Sequence, residues 1–183
     1  MVIDDIRKLI NPEVLIDMDT IKGILRIKES AIEAKLKRID ITGVDVNSTI
    51  AFKLDYHNQL SLYLNRSEKN INKGCDAIIL TQMNNKNHLF ICELKSYAPR
   101  EVEFFAKMKN SSLFLDYINT ILRTFYRSDL TSFKKKYILF YLKRFNKKST
   151  LPRQMITKVI VDGIIVYKIY NYREINIGKL ISM

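Results

Sequence analysis

The segment from Gly74 to Ser96 constrains the fold most strongly, because it has the pattern of a β-hairpin. Two apolar runs, Ala77–Leu80 and Leu89–Leu94, flank the polar residues Asn84–Asn87. Apolar runs of this length, separated by turn-forming residues, indicate two antiparallel strands. The sequence therefore predicts a hairpin that turns at Asn84–Asn87 and has its open end near Gly74 and Ser96.

Three ionisable side chains meet at this open end. A turn near the centre of the segment sets Asp76, at the start of the first strand, level with Glu93 on the second. Alternate residues of a strand share a face, so Lys95 points the same way as Glu93. Facing like charges destabilise a sheet, whereas two converging carboxylates make a site for Mg²⁺. The pattern predicts a Mg²⁺ site with a lysine that orients or deprotonates a water.

The spacing D-(x16)-E-L-K across two strands resembles the PD-(D/E)xK nuclease superfamily, which has the restriction-endonuclease-like fold. Cys75 stands where that family often has proline. The resemblance covers about residues 19–142. It implies an α/β fold, with a mixed central sheet flanked by helices in the order α-β-β-β-α-β.

The rest of the chain is consistent with that order. A helix is predicted from Asp19 or Thr20 to about Ile39, with its apolar stripe at Ile21, Leu25, Ile32, Leu36 and Ile39. Further strands are predicted at residues 49–54, 60–64 and 136–142. A short helix is predicted near the N-terminus and a long one from Glu101 to about Tyr126. Lys107 and Lys109 lie early enough in the long helix to approach the site, but the default expectation for both is a position that faces solvent.

An added C-terminal hairpin is predicted at about residues 156–172, because Asp162-Gly163 suits a type I′ turn. It would extend the sheet or form a dimer or partner surface. With 183 residues and 47% hydrophobic residues, the whole chain 1–183 is expected to form one domain.

Glu29 interrupts the apolar stripe of the predicted first helix. A charge on a buried face is costly unless it is paired or bound. The nuclease resemblance implies a glutamate on this helix that faces the metal site; Glu29 is the better match and Glu33 the alternative. A salt-bridged residue at the rim of the core is the other interpretation of Glu29.

The resemblance implies a Mg²⁺-dependent endonuclease that hydrolyses DNA in restriction, repair, recombination or antiviral defence, with Mn²⁺ as a substitute. It implies that Asp76 and Glu93 hold the metal, with the Leu94 carbonyl, and that Lys95 acts on water, with Glu29 in support. Three alternatives stay open. They are a non-catalytic nucleic-acid-binding or assembly subunit of the same fold, a protein-interaction module, and an ordinary strand end with an ion pair.

The charge is concentrated in one window. The chain carries a net charge of +12, and residues 123–158 contain eleven Lys or Arg and one acid. Such a region is the footprint expected for a phosphate backbone, of DNA or of RNA. The residues predicted to contact nucleic acid are Lys134, Lys135, Lys136, Lys143, Arg144, Lys147, Lys148 and Arg153. Because the chain is small, a homodimer or a partner protein is expected to supply specificity.

Composition excludes several other classes. Two cysteines cannot build a disulfide framework or a zinc site. No apolar run reaches the length of a membrane span, and the N-terminal residues lack a signal-peptide pattern. A cytoplasmic protein without a membrane partner is expected.

Overall fold

The computed structural model describes residues 2–29, 31–54, 60, 61, 63–65, 67, 68, 70–142 and 154–183. The described part is mixed α/β, with a four-stranded and a six-stranded sheet. Its helices are α1 (Val2–Leu9), α2 (Glu101–Ile121) and α3 (Ile177–Ser182). A 3₁₀ turn lies at Pro12–Val14, and a π-helical turn at Leu122–Tyr126 continues α2. The strands are β1 (Met18–Asp19), β2 (Ile24–Lys28), β3 (Arg38–Thr42), β4 (Thr49–Phe52), β5 (Ala77–Met83), β6 (Lys86–Lys95), β7 (Phe133–Tyr141), β8 (Met155–Val161), β9 (Ile164–Tyr170) and β10 (Glu174–Asn176).

The six-stranded sheet has the order β4-β5-β6-β7-β9-β8. Strands β4, β5 and β6 form an antiparallel meander. Helix α2 then carries the chain back, so that β7 lies parallel to β6, and β9 parallel to β7. Strand β8 closes this edge antiparallel to β9.

The sheet separates two apolar cores. On one face it packs against α1 and α2, through side chains such as Ile3, Phe104 and Met108. On the other it packs against the four-stranded sheet β1-β2-β3-β10 and α3, through side chains such as Leu25 and Leu180. The layers are therefore helices, large sheet and small sheet, and each sheet buries at least one face.

The central hairpin is confirmed. Strands β5 and β6 pair from Ala77↔Cys92 to Met83↔Lys86. Asn84 and Asn85 form the two-residue turn with φ values of 53° and 57°. Positive φ at both central residues is the requirement of a type I′ turn, which asparagine tolerates. The turn fixes the register and so sets which residues face each other at the open end.

The helix predicted from residue 19 to residue 39 is wrong. This segment contains a turn, the whole of β2 and the beginning of β3, which pair as an antiparallel hairpin. Ile21 and Ile32, on the predicted buried stripe, are 95% and 93% exposed. The buried residues instead alternate along each strand, as Leu25 does with Ile27. A period of two is the pattern of a half-buried strand.

Most other predicted elements are confirmed. The helix near the N-terminus is α1, the strand at 49–54 is β4, the long helix is α2 with its π-helical turn, and the strand at 136–142 is β7, which begins earlier, at Phe133. The C-terminal hairpin is β8 and β9; it extends the sheet, and Asp162 and Gly163 have φ values of 48° and 75°. The strand predicted at 60–64 is wrong, since none of the described residues there lies in a strand. Within the described residues, no helix has both the length and the apolar character needed to cross a membrane.

Candidate functional site

Asp76 and Glu93 lie opposite each other at the open end of the β5–β6 hairpin. Asp76 directly precedes β5, and Glu93 and Lys95 are among the last residues of β6. The pairing of Ala77 with Cys92 places the Asp76 and Glu93 backbones level. The sequence-predicted grouping of Asp76, Glu93 and Lys95 is therefore present in the structure.

Glu93 is the buried centre of this group, with its side chain 0% exposed. Its Oε1 lies 2.7 Å from Lys95 Nζ and 2.9 Å from Lys107 Nζ. Its Oε2 is buried and has no hydrogen-bond partner among the described residues. Buried polar atoms are normally paired, so this oxygen is available to a ligand that the protein itself does not supply.

Asp76 is held by the main chain and by Lys107. The Leu94 N–H donates to Asp76 Oδ2 at 2.5 Å, and Lys107 Nζ lies 3.9 Å from Oδ1. Burial, and then the charge of Glu93, raise the pKa of Asp76 to about 8 against the opposing effects of Lys107 and Leu94. Carboxylates tuned in this way by burial and a like charge cluster at functional sites. Asp76 is therefore mostly protonated at neutral pH unless a further cation arrives.

Glu29 lies at the end of a strand of the small sheet and not on a helix. It directly follows β2, and its Oε1 accepts a hydrogen bond from the Ala31 N–H at 3.1 Å. Its charge is a minor influence that raises the pKa of Asp76, after burial and the charge of Glu93. Glu33 is exposed. The structure thus places Glu29 closer to the predicted role than Glu33.

The connection between β2 and β3 forms one side of the site. The Lys35 N–H donates to Ser96 Oγ at 2.8 Å, immediately beyond Lys95. Lys35 Nζ also lies 5.3 Å from the centre of the Tyr97 ring. The connection therefore contacts the segment that directly follows β6, next to Lys95.

Asp76 and Glu93 could hold a divalent cation whose remaining coordination positions are filled by water or substrate oxygens. In the described ranges, no cluster of three or more His, Cys, Asp or Glu side chains could hold a metal ion. Mg²⁺ in phosphate chemistry, however, commonly uses one or two carboxylates and completes its shell with water and substrate oxygens. Asp76, Glu93 and the Leu94 carbonyl would be its ligands here, and the unpartnered Oε2 of Glu93 is the observation that favours such an ion.

Lys107 is a site residue that the sequence reasoning missed. It was expected to face solvent, but its side chain is 13% exposed and contacts both carboxylates. Its position held a signal, because Phe104, Met108 and Ser111 are all buried on α2. Spacings of three and four residues place Lys107 on that same face. A lysine within a buried stripe requires an acidic partner.

The predicted nucleic-acid contacts have mixed outcomes. Lys134 and Lys135 are exposed, although Lys135 Nζ also donates to Ser112 Oγ at 2.7 Å. Lys136 is 4% exposed, and its Nζ donates to the carbonyl oxygens of Leu180 and Ile181, which counts against its predicted contact with nucleic acid. The remaining predicted contacts lie outside the described residues: Lys143, Arg144, Lys147, Lys148 and Arg153.

Comparison with protein-family models, with curated proteins and with solved structures found no match for the chain. Any function has to be inferred from the side chains at the open end of the β5–β6 hairpin. Their burial, charge and spacing are the features from which such an inference starts.

Proposed function

We propose that this chain is a metal-dependent nuclease that hydrolyses phosphodiester bonds in DNA. The observation that carries the proposal is the buried Glu93, opposite Asp76 and 2.7 Å from Lys95. A buried acid pair in which the pKa of Asp76 is raised, beside a lysine at the end of a strand, is costly for stability and useful for metal and phosphate chemistry. Restriction, repair, recombination and antiviral defence are the settings that suit such an enzyme.

The arrangement of elements supports a restriction-endonuclease-like core. Helix α1, the meander β4-β5-β6, helix α2 and the parallel strand β7 follow the order α-β-β-β-α-β. In this reading α1 replaces residues 19–39 as the first core helix. The strands β1 to β3 then form an insertion between α1 and β4, and Glu29 directly follows the second of these strands.

Each side chain has a definable task. A bound Mg²⁺ or Mn²⁺ would polarise the phosphate and lower the pKa of a bound water. Asp76 and Glu93 would hold the ion through carboxylate oxygens, with the Leu94 carbonyl beside them. Lys95, whose side chain is 29% exposed, reaches from buried Glu93 towards solvent, where it can orient water or neutralise charge that develops on the phosphate.

A second candidate is a non-catalytic nucleic-acid-binding or assembly subunit. The specific observation in its favour is that Lys95 and Lys107 both contact Glu93, so the cluster is already compensated without an added ion. In that case the site would act only as an internal salt bridge. The basic residues within positions 123–158 would then bind nucleic acid through phosphate contacts.

Cleavage assays separate the two candidates. We would incubate plasmid, single-stranded DNA and RNA with wild type, Asp76→Ala and Lys95→Ala in Mg²⁺, Mn²⁺ or EDTA. Loss of one metal-binding or proton-transfer group should slow cleavage by about 100-fold or more. Lys109→Ala is the matched control, because Lys109 lies on α2 and pairs with Asp162 at the surface.

The nuclease proposal requires metal-dependent cleavage by wild type and Lys109→Ala that is lost in the two site variants. Equal cleavage by wild type and Asp76→Ala would contradict it. If no nucleic acid is cleaved but salt-sensitive binding persists, the subunit becomes the better description.

A further inference from the structure

The Lys107 ammonium lies close to the carboxyl groups of both Asp76 and Glu93. Its Nζ lies 2.9 Å from Glu93 Oε1 and 3.9 Å from Asp76 Oδ1, so that one ammonium contacts both acids. Lys95 differs, since among the ion pairs of the described residues it contacts only Glu93. Lys107 also comes from α2, a different element from the strands that carry the acids.

We propose that Lys107 is a built-in competitor of the divalent cation: its ammonium holds Asp76 and Glu93 together in the metal-free protein and must leave when the ion binds. This inference rests on the proposed function, because it assumes that the two carboxylates are metal ligands. It assigns a role to Lys107, which lies outside the group of Asp76, Glu93 and Lys95.

Charge explains why both cations cannot stay. A divalent ion and an ammonium that share the same carboxylate oxygens would lie a few ångströms apart, where their repulsion is strong in a partly dry site. The lysine side chain has a flexible four-carbon stem and can move its charge without moving the helix. The side chain is 13% exposed, so a path towards solvent exists.

The arrangement also explains how the empty site keeps its shape. Once Asp76 is ionised, the two facing carboxylates would repel each other and loosen the open end of the hairpin. The Lys107 ammonium offsets that repulsion before an ion arrives, so the ligands remain near their working positions. Such preorganisation comes at the expense of affinity, because ion binding must first break the lysine contacts.

Isothermal titration calorimetry with Mg²⁺ tests the inference in wild type, Lys107→Met and Lys109→Met. Mildly alkaline buffer keeps protonation of Asp76 from masking the effect. Lys107→Met should bind Mg²⁺ about ten-fold more tightly or better, because no ammonium has to be displaced. Lys109→Met should match wild type, since Lys109 Nζ pairs with Asp162 at 2.8 Å and not with the site. Unchanged or weaker binding in Lys107→Met would overturn the proposal.

A measurement on wild type avoids dependence on the folding of a variant. Amine acetylation followed by peptide mass spectrometry reports how accessible each lysine is. Saturating Mg²⁺ should increase labelling of Lys107 and leave Lys109 unchanged as the internal reference. Equal labelling of Lys107 with and without Mg²⁺ would contradict its displacement.

The titrations distinguish failure of the inference about Lys107 from failure of the proposed function. If Mg²⁺ binds wild type and Lys107→Met equally, and Asp76→Asn abolishes the binding, the metal site stands and only the role of Lys107 is wrong. If Mg²⁺ binds neither wild type nor Lys107→Met, the carboxylates are not metal ligands. The proposed function then loses its support together with the inference.

Discussion

At the scale of single residues, Asp76 and Glu93 face each other but have different environments. Glu93 is fully buried and has two lysine ammonium groups against one of its oxygens. Asp76 has one ammonium at 3.9 Å, and burial raises its pKa to about 8. The two carboxyl groups should therefore contribute to stability with opposite signs.

Asp76→Asn should stabilise the protein at neutral pH. The pKa of Asp76 lies above 3.8, the ordinary value for an aspartate, so the folded state holds a proton that the unfolded state has released. The free energy of unfolding consequently falls as pH rises from about 4 to about 8, and the substitution removes this loss of stability. The gain in unfolding free energy should reach at most about 4 kcal/mol at pH 7 and vanish near pH 4. Urea unfolding at several pH values measures it, and no gain at pH 7 would refute the assignment.

Glu93→Gln should have the opposite effect. It removes the partner of Lys95 and Lys107 and leaves their ammonium groups uncompensated in a partly buried place. Breaking a buried ion pair from one side costs about 3 kcal/mol. Asp162→Asn is the control, because it breaks an exposed pair with Lys109 and should change the unfolding free energy by less than about 1 kcal/mol. Equal effects of the two substitutions would show that Glu93 is not the centre of the cluster.

At the scale of elements, the hairpin of β2 and β3 replaces the helix that apolar spacing predicted. Gly23 lies in the turn before β2 with φ of 60°, and a Cβ there would come 2.8 Å from the Val44 carbonyl oxygen. The hairpin also carries Glu29, which directly follows β2. Its existence can be tested independently of any activity.

Gly23→Ala gives opposite results for a helix and for this hairpin. In a helix the alanine would stabilise by about 1 kcal/mol. In the observed turn it should destabilise by about 2 kcal/mol, because positive φ and the contact with Val44 both oppose a side chain. Gly163→Ala, with φ of 75° and open space around it, isolates the backbone contribution and should cost less. Chemical unfolding of both variants decides the matter, and a stabilising Gly23→Ala would argue for a helix.

The sequence was informative where local signals agreed. The β5–β6 hairpin could be predicted because apolar runs, turn residues and length pointed to one structure, and it placed Asp76 opposite Glu93. The segment 19–39 could not, since apolar residues at positions 21, 25, 32, 36 and 39 fit a helical stripe while 25, 27, 39 and 41 fit two strands. Only packing against the large sheet selects the second pattern. Lys107 was missed even though its spacing from Phe104 and Ser111 places it on the inward face of α2.

At the scale of the whole molecule, the described lysines at positions 134–136 do not share one surface. Lys134 pairs with His88 near one end of β6 and β7, whereas Leu139 pairs with Glu93. Five residues along a strand separate these positions by about 17 Å. Lys136, between them, points into the protein and holds the C-terminal helix α3 through carbonyl oxygens. A nucleic acid that reached both Lys134 and the carboxylates would have to extend along this distance.

Salt dependence tests whether the exposed part of the basic window contacts phosphates. Lys134→Gln should weaken DNA binding and lower the slope of log affinity against log salt concentration by about 0.9, the value for one lost phosphate contact. Lys8→Gln is the control, since Lys8 is exposed on α1 and lies outside residues 123–158. Fluorescence anisotropy at several salt concentrations gives both slopes. An unchanged slope for Lys134→Gln would remove this lysine from the interface.

The most direct test of the central claim is anomalous diffraction from crystals grown with and without Mn²⁺. The claim is that Asp76 and buried Glu93 form a divalent-cation site at the open end of the β5–β6 hairpin. We expect an anomalous peak between the two carboxylates in the Mn²⁺ crystals, with the Lys107 ammonium moved away from them. An unchanged contact between Lys107 and Glu93 at saturating Mn²⁺, with no peak at the carboxylates, would contradict it.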